Sequence, residues 1–181
     1  MAFQRSSQPF MISLPEHYAD LLKKATAFTC KRSVVGSLKD AATTVIQCLL
    51  CGELLCCNSY CCQEKIKEVS VGSFTKHIQS CGAGFGMGLW IRECRVVLVN
   101  AVDVEVTRGC LMPAPYLDEY GESDPGLKSG HPLTLHKESL KNLQDLWQSH
   151  ELSGKITSEL DNHREYLRFP WNNFDLACHL C

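Results

Sequence analysis

The 181-residue sequence has no apolar run approaching the roughly 18 to 20 residues that a membrane-spanning helix needs, so nothing in it reads as a span. Its N-terminal apolar patch is short as well. Phe10-Met11-Ile12 is broken by Ser13 and Pro15, too soon for the hydrophobic region of a signal peptide. A charge excess is also missing: the net charge is -2 and the isoelectric point about 6.4, which gives no general attraction to nucleic acid or anionic lipid. The sequence holds no G-x-S-x-G, no Walker loop and no H-E-x-x-H, so hydrolase and nucleotidase readings have no residues to rest on. His17, His131, His150 and His163 have no evident partners in the sequence and read as surface or capping histidines.

These absences predict an intracellular, cytoplasmic protein, with the nucleus also open to it, in which thiols stay reduced. That matters because cysteine is abundant, with twelve in the chain. In a reducing compartment clustered cysteines bind metal more often than they form disulfides. Cys48-x2-Cys51 is followed, after 25 intervening residues, by His77-x3-Cys81, two hooks that together supply four zinc ligands. Zinc, a d10 ion, accepts a tetrahedron of thiolates and imidazole, and C-x2-C offers two sulfurs from one tight turn. Gly52 suits that turn. One zinc per chain, held by Cys48, Cys51, His77 and Cys81, is therefore expected; the bland alternative is that these are buried cysteines packing as small hydrophobes.

Cys56, Cys57, Cys61 and Cys62 lie just beyond the first hook. Either they form a second site with help from Cys30, or they pack in the core. The lack of another well-spaced pair of hooks favours packing. Cys178-His179-Leu180-Cys181 is a poor prenylation box and a spare C-x2-C without partners, so a solvated tail is expected there. His136-Lys137-Glu138 with the first hook superficially suggests a zinc deaminase, but the order is reversed and Gln47 stands where a proline belongs. A redox role for Cys48 and Cys51 lacks the thioredoxin-like setting at a helix start.

Along the chain, residues 1–13 read as a tail, and Pro15 opens a helix whose apolar face is Leu14, Tyr18, Leu21, Leu22, Ala25 and Phe28. Cys30 to Asp40 reads as a loop. Gly82, Gly84, Gly86 and Gly88 do not make a dinucleotide loop, since Met87 stands where glycine is needed. They are expected to let the chain leave the metal site and pass close to another backbone. Leu89 to Asn100 reads as a buried strand, and Val102, Val104 and Val106 as a half-buried one pairing with it through a turn near Asn100-Ala101. Met112 to Pro132 is turn-rich and acidic, and Tyr116, Asp118, Glu119 and Tyr120 are its candidate interaction residues. Leu135, Leu140, Leu143, Leu146 and Trp147 mark a second amphipathic helix with Gly154 beyond its end. Phe169-Pro170-Trp171 and Phe174 are expected to dock on the domain. The predicted class is α+β: a small zinc-stabilised domain over 14–171, with a β-hairpin or small antiparallel sheet flanked by two amphipathic helices, and a tail over 172–181.

Several of these segments together resemble a known family. Cys48-Leu49-Leu50-Cys51-Gly52-Glu53-Leu54-Leu55-Cys56, with Ser59-Tyr60-Cys61-Cys62 behind it, is similar to the C-terminal region of the UBR family of N-recognin ubiquitin ligases. The resemblance continues through His77-x3-Cys81-Gly82, Arg92-Glu93-Cys94, Gly109-Cys110, the run from Pro115 to Glu122, Gly130-His131-Pro132-Leu133 and Leu146-Trp147. It runs from about Leu14 to Trp171 and looks most like the third vertebrate paralogue; the tail after Trp171 departs from the family's ending. The resemblance implies a cap-like, zinc-stabilised C-terminal domain of a very large RING-type E3 that marks proteins for proteasomal degradation. The substrate-binding UBR box and the RING would lie upstream, so the chain would be a fragment without catalytic residues. Its partners would be the upstream domains of the same ligase, with the E2 and ubiquitin met only through the full-length protein, and no nucleic acid. Without the resemblance, the sequence reads as a stand-alone zinc-binding protein-interaction module.

Overall fold

A computed structural model describes residues 11–30, 45–57 and 62–162. Its centre is a five-stranded antiparallel sheet in the order β2-β1-β5-β6-β7, where β1 is Val45–Cys48, β2 Leu54–Cys56, β5 Phe85–Trp90, β6 Arg95–Asn100 and β7 Arg108–Pro113. Two short hairpins stand beside it: β3 (Glu64–Ile66) with β4 (Val69–Val71), and β8 (Tyr116–Leu117) with β9 (Thr134–Leu135). The helices are α1 (Tyr18–Ala27), α2 (Ser73–Cys81), α3 (Lys137–Gln148) and α4 (Leu152–Asn162). The class is α+β, with two helices more than the amphipathic pair expected. None of these helices is long and apolar enough to cross a membrane.

The continuous apolar run Val96 to Val99 has a simple cause: the sheet is covered on both faces. Val96 and Leu98 join the core made with Tyr18, Leu21 and Ala25 of α1, Leu143 of α3, and Leu152 and Ile156 of α4. Val97 and Val99 point the other way, into a core with Phe74 and Ile78 of α2. The expected single strand over Leu89 to Asn100 is in fact the end of one strand and the whole of the next. β5 turns at Ile91–Cys94, with Cys94 in the left-handed region at φ 49°, and returns as β6.

The close approach expected of the glycines is present, but inside a strand. A Cβ on Gly86 would lie 2.3 Å from Cγ2 of Ile78, and one on Gly88 would lie 2.5 Å from Cδ1 of Ile46 and 2.8 Å from the Phe74 ring. The bare backbone of β5 is thus what lets α2 lie against the sheet. Gly84, at φ 90°, passes the backbone of Val102.

Three other expectations are corrected. The first helix starts at Tyr18 with His17 as its N-cap, so Pro15 precedes it and does not open it. Val102 to Val106 is not a strand: Asp103 accepts the Glu105 N–H and folds Val104–Val106 into a 3-10 turn, leaving Val102 and Val106 exposed. The strand that follows β6 and pairs with it is β7. Gly154 stands beyond the end of α3, as expected, and lies inside a further helix, α4, whose Leu152 and Ile156 are buried. Order also begins before residue 13, because Met11 is buried and the Ile12 N–H donates to the Leu49 carbonyl at 2.9 Å. The loop read over 31–40, His163, the aromatic docking segment at Phe169 to Phe174 and the Cys178–Cys181 tail lie outside the described residues.

Candidate metal centre

β1 ends on Cys48, and the chain then turns back toward β2 through Leu49 to Glu53. The turn is closed by Gly52 N–H to the Cys48 carbonyl and by Cys48 N–H to the Glu53 carbonyl, both 2.9 Å. Gly52 sits at φ 84°, a left-handed conformation that glycine adopts without a Cβ penalty, and this throws Cys51 to the surface side of the knuckle. The second hook lies on α2, where His77 and Cys81 are four residues apart and therefore share one face. Ile78 and Phe74 anchor that helix on the glycines of β5, and β5 pairs directly with β1, so sheet and helix together fix both hooks.

All four donor atoms, Sγ of Cys48, Cys51 and Cys81 and a ring nitrogen of His77, lie within 4.8 Å of one another. Cys48 Sγ is 3.9 Å from Cys81 Sγ, and Cys51 Sγ is 3.3 Å from His77 Nε2. The four can hold a metal ion. Sequence spacing missed a fifth participant, Glu53, whose Oε2 lies 3.1 Å from His77 Nδ1. A carboxylate accepting the Nδ1 proton leaves Nε2, the nitrogen that faces Cys51, as the lone-pair donor. Its position directly after the C-x2-C-G turn was the only signal available.

Burial pushes the Cys48 and Cys81 thiols up, and for Cys81 the neighbouring Cys48 and Cys51 add to it. Burial likewise pulls His77 below the usual imidazole range, with Glu53 opposing. Each of these shifts favours the uncharged form of Cys48, Cys81 and His77, and a metal ion would supply the positive charge that thiolates need.

The other cysteines divide. Cys57 packs with Ile46, Leu50 and Phe74, as the core-packing reading expects. Cys30, Cys56 and Cys62 also converge, their sulfurs within 4.8 Å of one another, with Cys30 and Cys56 buried in the core. Cys61 lies outside the described residues.

The acidic loop is ordered from within. Asp118 accepts the N–H groups of Tyr120 and Glu122, each at 2.9 Å, and lies 3.1 Å from His131 Nδ1; these contacts, the Glu122 one first, hold it below the usual carboxylate range. His131 thus has a partner that the sequence did not reveal. Asp124 is buried and held low chiefly by the Ser129 hydroxyl, which donates at 2.7 Å. Tyr116 is corrected from an interaction residue to a core residue: it is fully buried, its ring meets Tyr18 edge-on at 4.8 Å, and its hydroxyl donates to the Pro15 carbonyl at 2.7 Å. Tyr120 is 71% exposed, and Glu119 is exposed beside it. His136, the first residue of the deaminase-like triplet, caps α3 by accepting the Ser139 N–H at Nδ1.

The chain is 40% identical over 163 residues to E3 ubiquitin-protein ligase UBR2 of Homo sapiens, covering 90% of this chain and 9% of that protein. It is 44% identical over 161 residues to E3 ubiquitin-protein ligase UBR1 of Mus musculus, covering 89% and 9%. Against E3 ubiquitin-protein ligase UBR3 of Homo sapiens the figures are 36% over 143 residues, 78% and 7%, so the expected resemblance to the third paralogue gives way to a stronger one to UBR1 and UBR2. The chain spans less than a tenth of the length of these relatives. The profile of the Proteolysis_6 C-terminal family matches residues 3–149, and the chain belongs to that family, as a domain of the UBR-type E3 ubiquitin ligases.

Proposed function

We propose that this chain is a zinc-stabilised structural and regulatory module at the C-terminal end of a RING-type E3 ubiquitin ligase, and that it carries no transfer chemistry of its own. The observation that supports it most is the convergence of Cys48, Cys51, His77 and Cys81 between the β1–β2 turn and α2, in a fold related to such ligases. With metal–sulfur bonds of about 2.3 Å, tetrahedral thiolates stand about 3.8 Å apart, close to the Cys48–Cys81 separation, and a cysteine and histidine donor set suits zinc. When bound, zinc supplies a fixed charge and four directional bonds; the chain's own residues do the rest. Glu53 orients His77, Gly52 shapes the knuckle, and α2 is held against β5. A closed four-ligand site is a structural one, with no open position for a substrate.

In this reading the module packs against upstream domains of the ligase in the cytoplasm. Substrate, E2 and ubiquitin are engaged elsewhere in the full-length protein, which marks proteins for proteasomal degradation. Elemental analysis of the purified chain tests the metal, and discharge of ubiquitin from a charged E2 tests the role. Zinc bound and no discharge are expected. Robust ubiquitin chain formation by this chain alone would overturn the assignment of roles, and a chain folded without metal would overturn the zinc.

A further inference from the structure

A second group of sulfurs lies outside the centre just described and plays no part in the proposed function. Cys30 stands two residues beyond Phe28, the C-cap of α1; Cys56 is the last residue of β2; Cys62 is two residues ahead of β3. Three separate segments thus deliver sulfurs that lie within 4.8 Å of one another, with Cys30 and Cys62 at 3.2 Å. They wall a cleft of about 240 Å³ whose lining also includes Glu53, Glu64 and Ser73. The Ser73 hydroxyl donates to the Cys56 carbonyl, pinning the end of β2 to the first turn of α2.

Cysteines that merely fill a core have no reason to seek one another. A disulfide explains two sulfurs at about 2.05 Å and leaves the third without purpose. Three thiols gathered within a few ångströms match the chemistry of a thiolate metal site, where each sulfur lies about 2.3 Å from a shared ion.

We propose that Cys30, Cys56 and Cys62 form a second zinc site, supplying three thiolate ligands to one ion. Loading exchanges three thiol protons for one Zn²⁺ and releases the protons to solvent. The site ties the exit of α1 and the approach to β3 onto the far end of the β1–β2 hairpin, whose near end carries Cys48 and Cys51. The hairpin is then clamped at both ends. Glu53 adjoins both sites, bonding His77 on one side and lining the cleft on the other.

Zinc is counted in the whole chain purified under reducing conditions. Two ions per chain are expected, falling to one in Cys30→Ser/Cys62→Ser and, independently, to one in Cys51→Ser/Cys81→Ser, so failure of one site is distinguishable from failure of the other. Alkylation of the unaltered, zinc-loaded chain with and without chelator, mapped by mass spectrometry, provides a measurement that does not depend on a variant folding. Cys30, Cys56 and Cys62 should be labelled only after chelation. One ion per unaltered chain, an unchanged count in Cys30→Ser/Cys62→Ser, labelling indifferent to chelator, or a Cys30–Cys62 disulfide in the reduced preparation would each overturn the proposal. If the double variant loses both ions, the chelator dependence of the labelling decides between the two outcomes.

Discussion

Gly86→Ala should damage the metal centre without touching a ligand. The added Cβ would sit 2.3 Å from Cγ2 of Ile78, 3.1 Å from its Cβ and 3.3 Å from its Cδ1. The first of these is more than about 1 Å short of the roughly 3.5 to 4.0 Å at which carbon atoms rest against each other. Ile78 cannot swing aside, because a β-branched side chain on a helix has essentially one χ1 rotamer and this one is fully buried. The helix itself must therefore move off the sheet, carrying His77 and Cys81 away from Cys48 and Cys51. Overpacking of this kind costs about 1 to 3 kcal/mol, and at about 2 to 4 °C per kcal/mol the midpoint falls by several degrees. Metal ligation tolerates only about 0.2 Å of error, so zinc affinity should fall further than stability alone explains. Calorimetry gives the first quantity and competition with a chromogenic chelator the second. Gly154→Ala is the control: nothing lies within 4 Å of its added Cβ, and in the interior of α4 alanine should stabilise by about 0.5 to 1 kcal/mol. Unchanged melting and unchanged chelator competition in Gly86→Ala would refute the account of how α2 is seated.

Glu53→Ala should weaken zinc binding by about 10- to 100-fold through loss of the His77 orienting bond, read by chelator competition, and at equal free zinc should lower the stability of the loaded chain by about 1.4 to 2.7 kcal/mol, read by calorimetry. Tyr116→Ala should cost about 3 to 5 kcal/mol, as large aromatic truncations in a core do, whereas Tyr120→Ala should leave melting unchanged and act only on contacts with another domain; chemical denaturation of both separates the two. Asp118 and Asp124 are held below their ordinary value, so the order they give the 118–131 loop is fully present above the unfolded-state pKa of about 3.9 and is lost as pH falls through their lower folded values. Hydrogen exchange at Glu122, Lys128 and Ser129 should accordingly stay slow at pH 5 and accelerate only on stronger acidification; fast exchange already at pH 5 would show that the carboxylates do not order the loop. Chelation of zinc should unfold the β1–β2 turn and α2 before the β5–β6–β7 meander, since structural zinc contributes on the order of 10 kcal/mol to the elements that it joins; simultaneous loss of all protection would contradict that order.

Much of the fold was legible where one residue pattern meets one environment. The first apolar face, Tyr18, Leu21 and Ala25, and the second helix around Leu143 follow from three- and four-residue spacing. α2 was harder, because Phe74 and Ile78 are its only large apolar residues and the rest of its sequence is polar. His77-x3-Cys81 spans about one helical turn, but no helix was expected there. α4 shows the reverse case. Leu152, Ile156 and Leu160 recur every four residues, but Gly154 reads as a stop unless the packing of α4 on β6 and β7 is known. The Val102–Val104–Val106 alternation failed because Asp103 offers its own backbone a local acceptor, and a bend made two residues long outcompetes a strand whose partner position is taken by β7.

The two sulfur clusters mark where sequence reading stops. Spacing finds a metal site when pairs of ligands lie on one turn or one helix, because local geometry alone then brings each pair together. Cys48 with Cys51 and His77 with Cys81 are such pairs, and only their mutual approach, through β1 beside β5 and α2 across it, had to be supplied by the fold. Cys30, Cys56 and Cys62 contain no such pair: each comes from a different segment, and the sequence between them obeys no ligand spacing. The same logic misplaced Tyr116. A tyrosine among prolines and carboxylates looks like a surface anchor, but β8 pairs with β9 and that ring meets Tyr18, so of the two tyrosines Tyr120 alone is exposed. Local pairs are therefore the part of this site that a sequence can carry, and convergence from three segments is the part that only tertiary structure reveals.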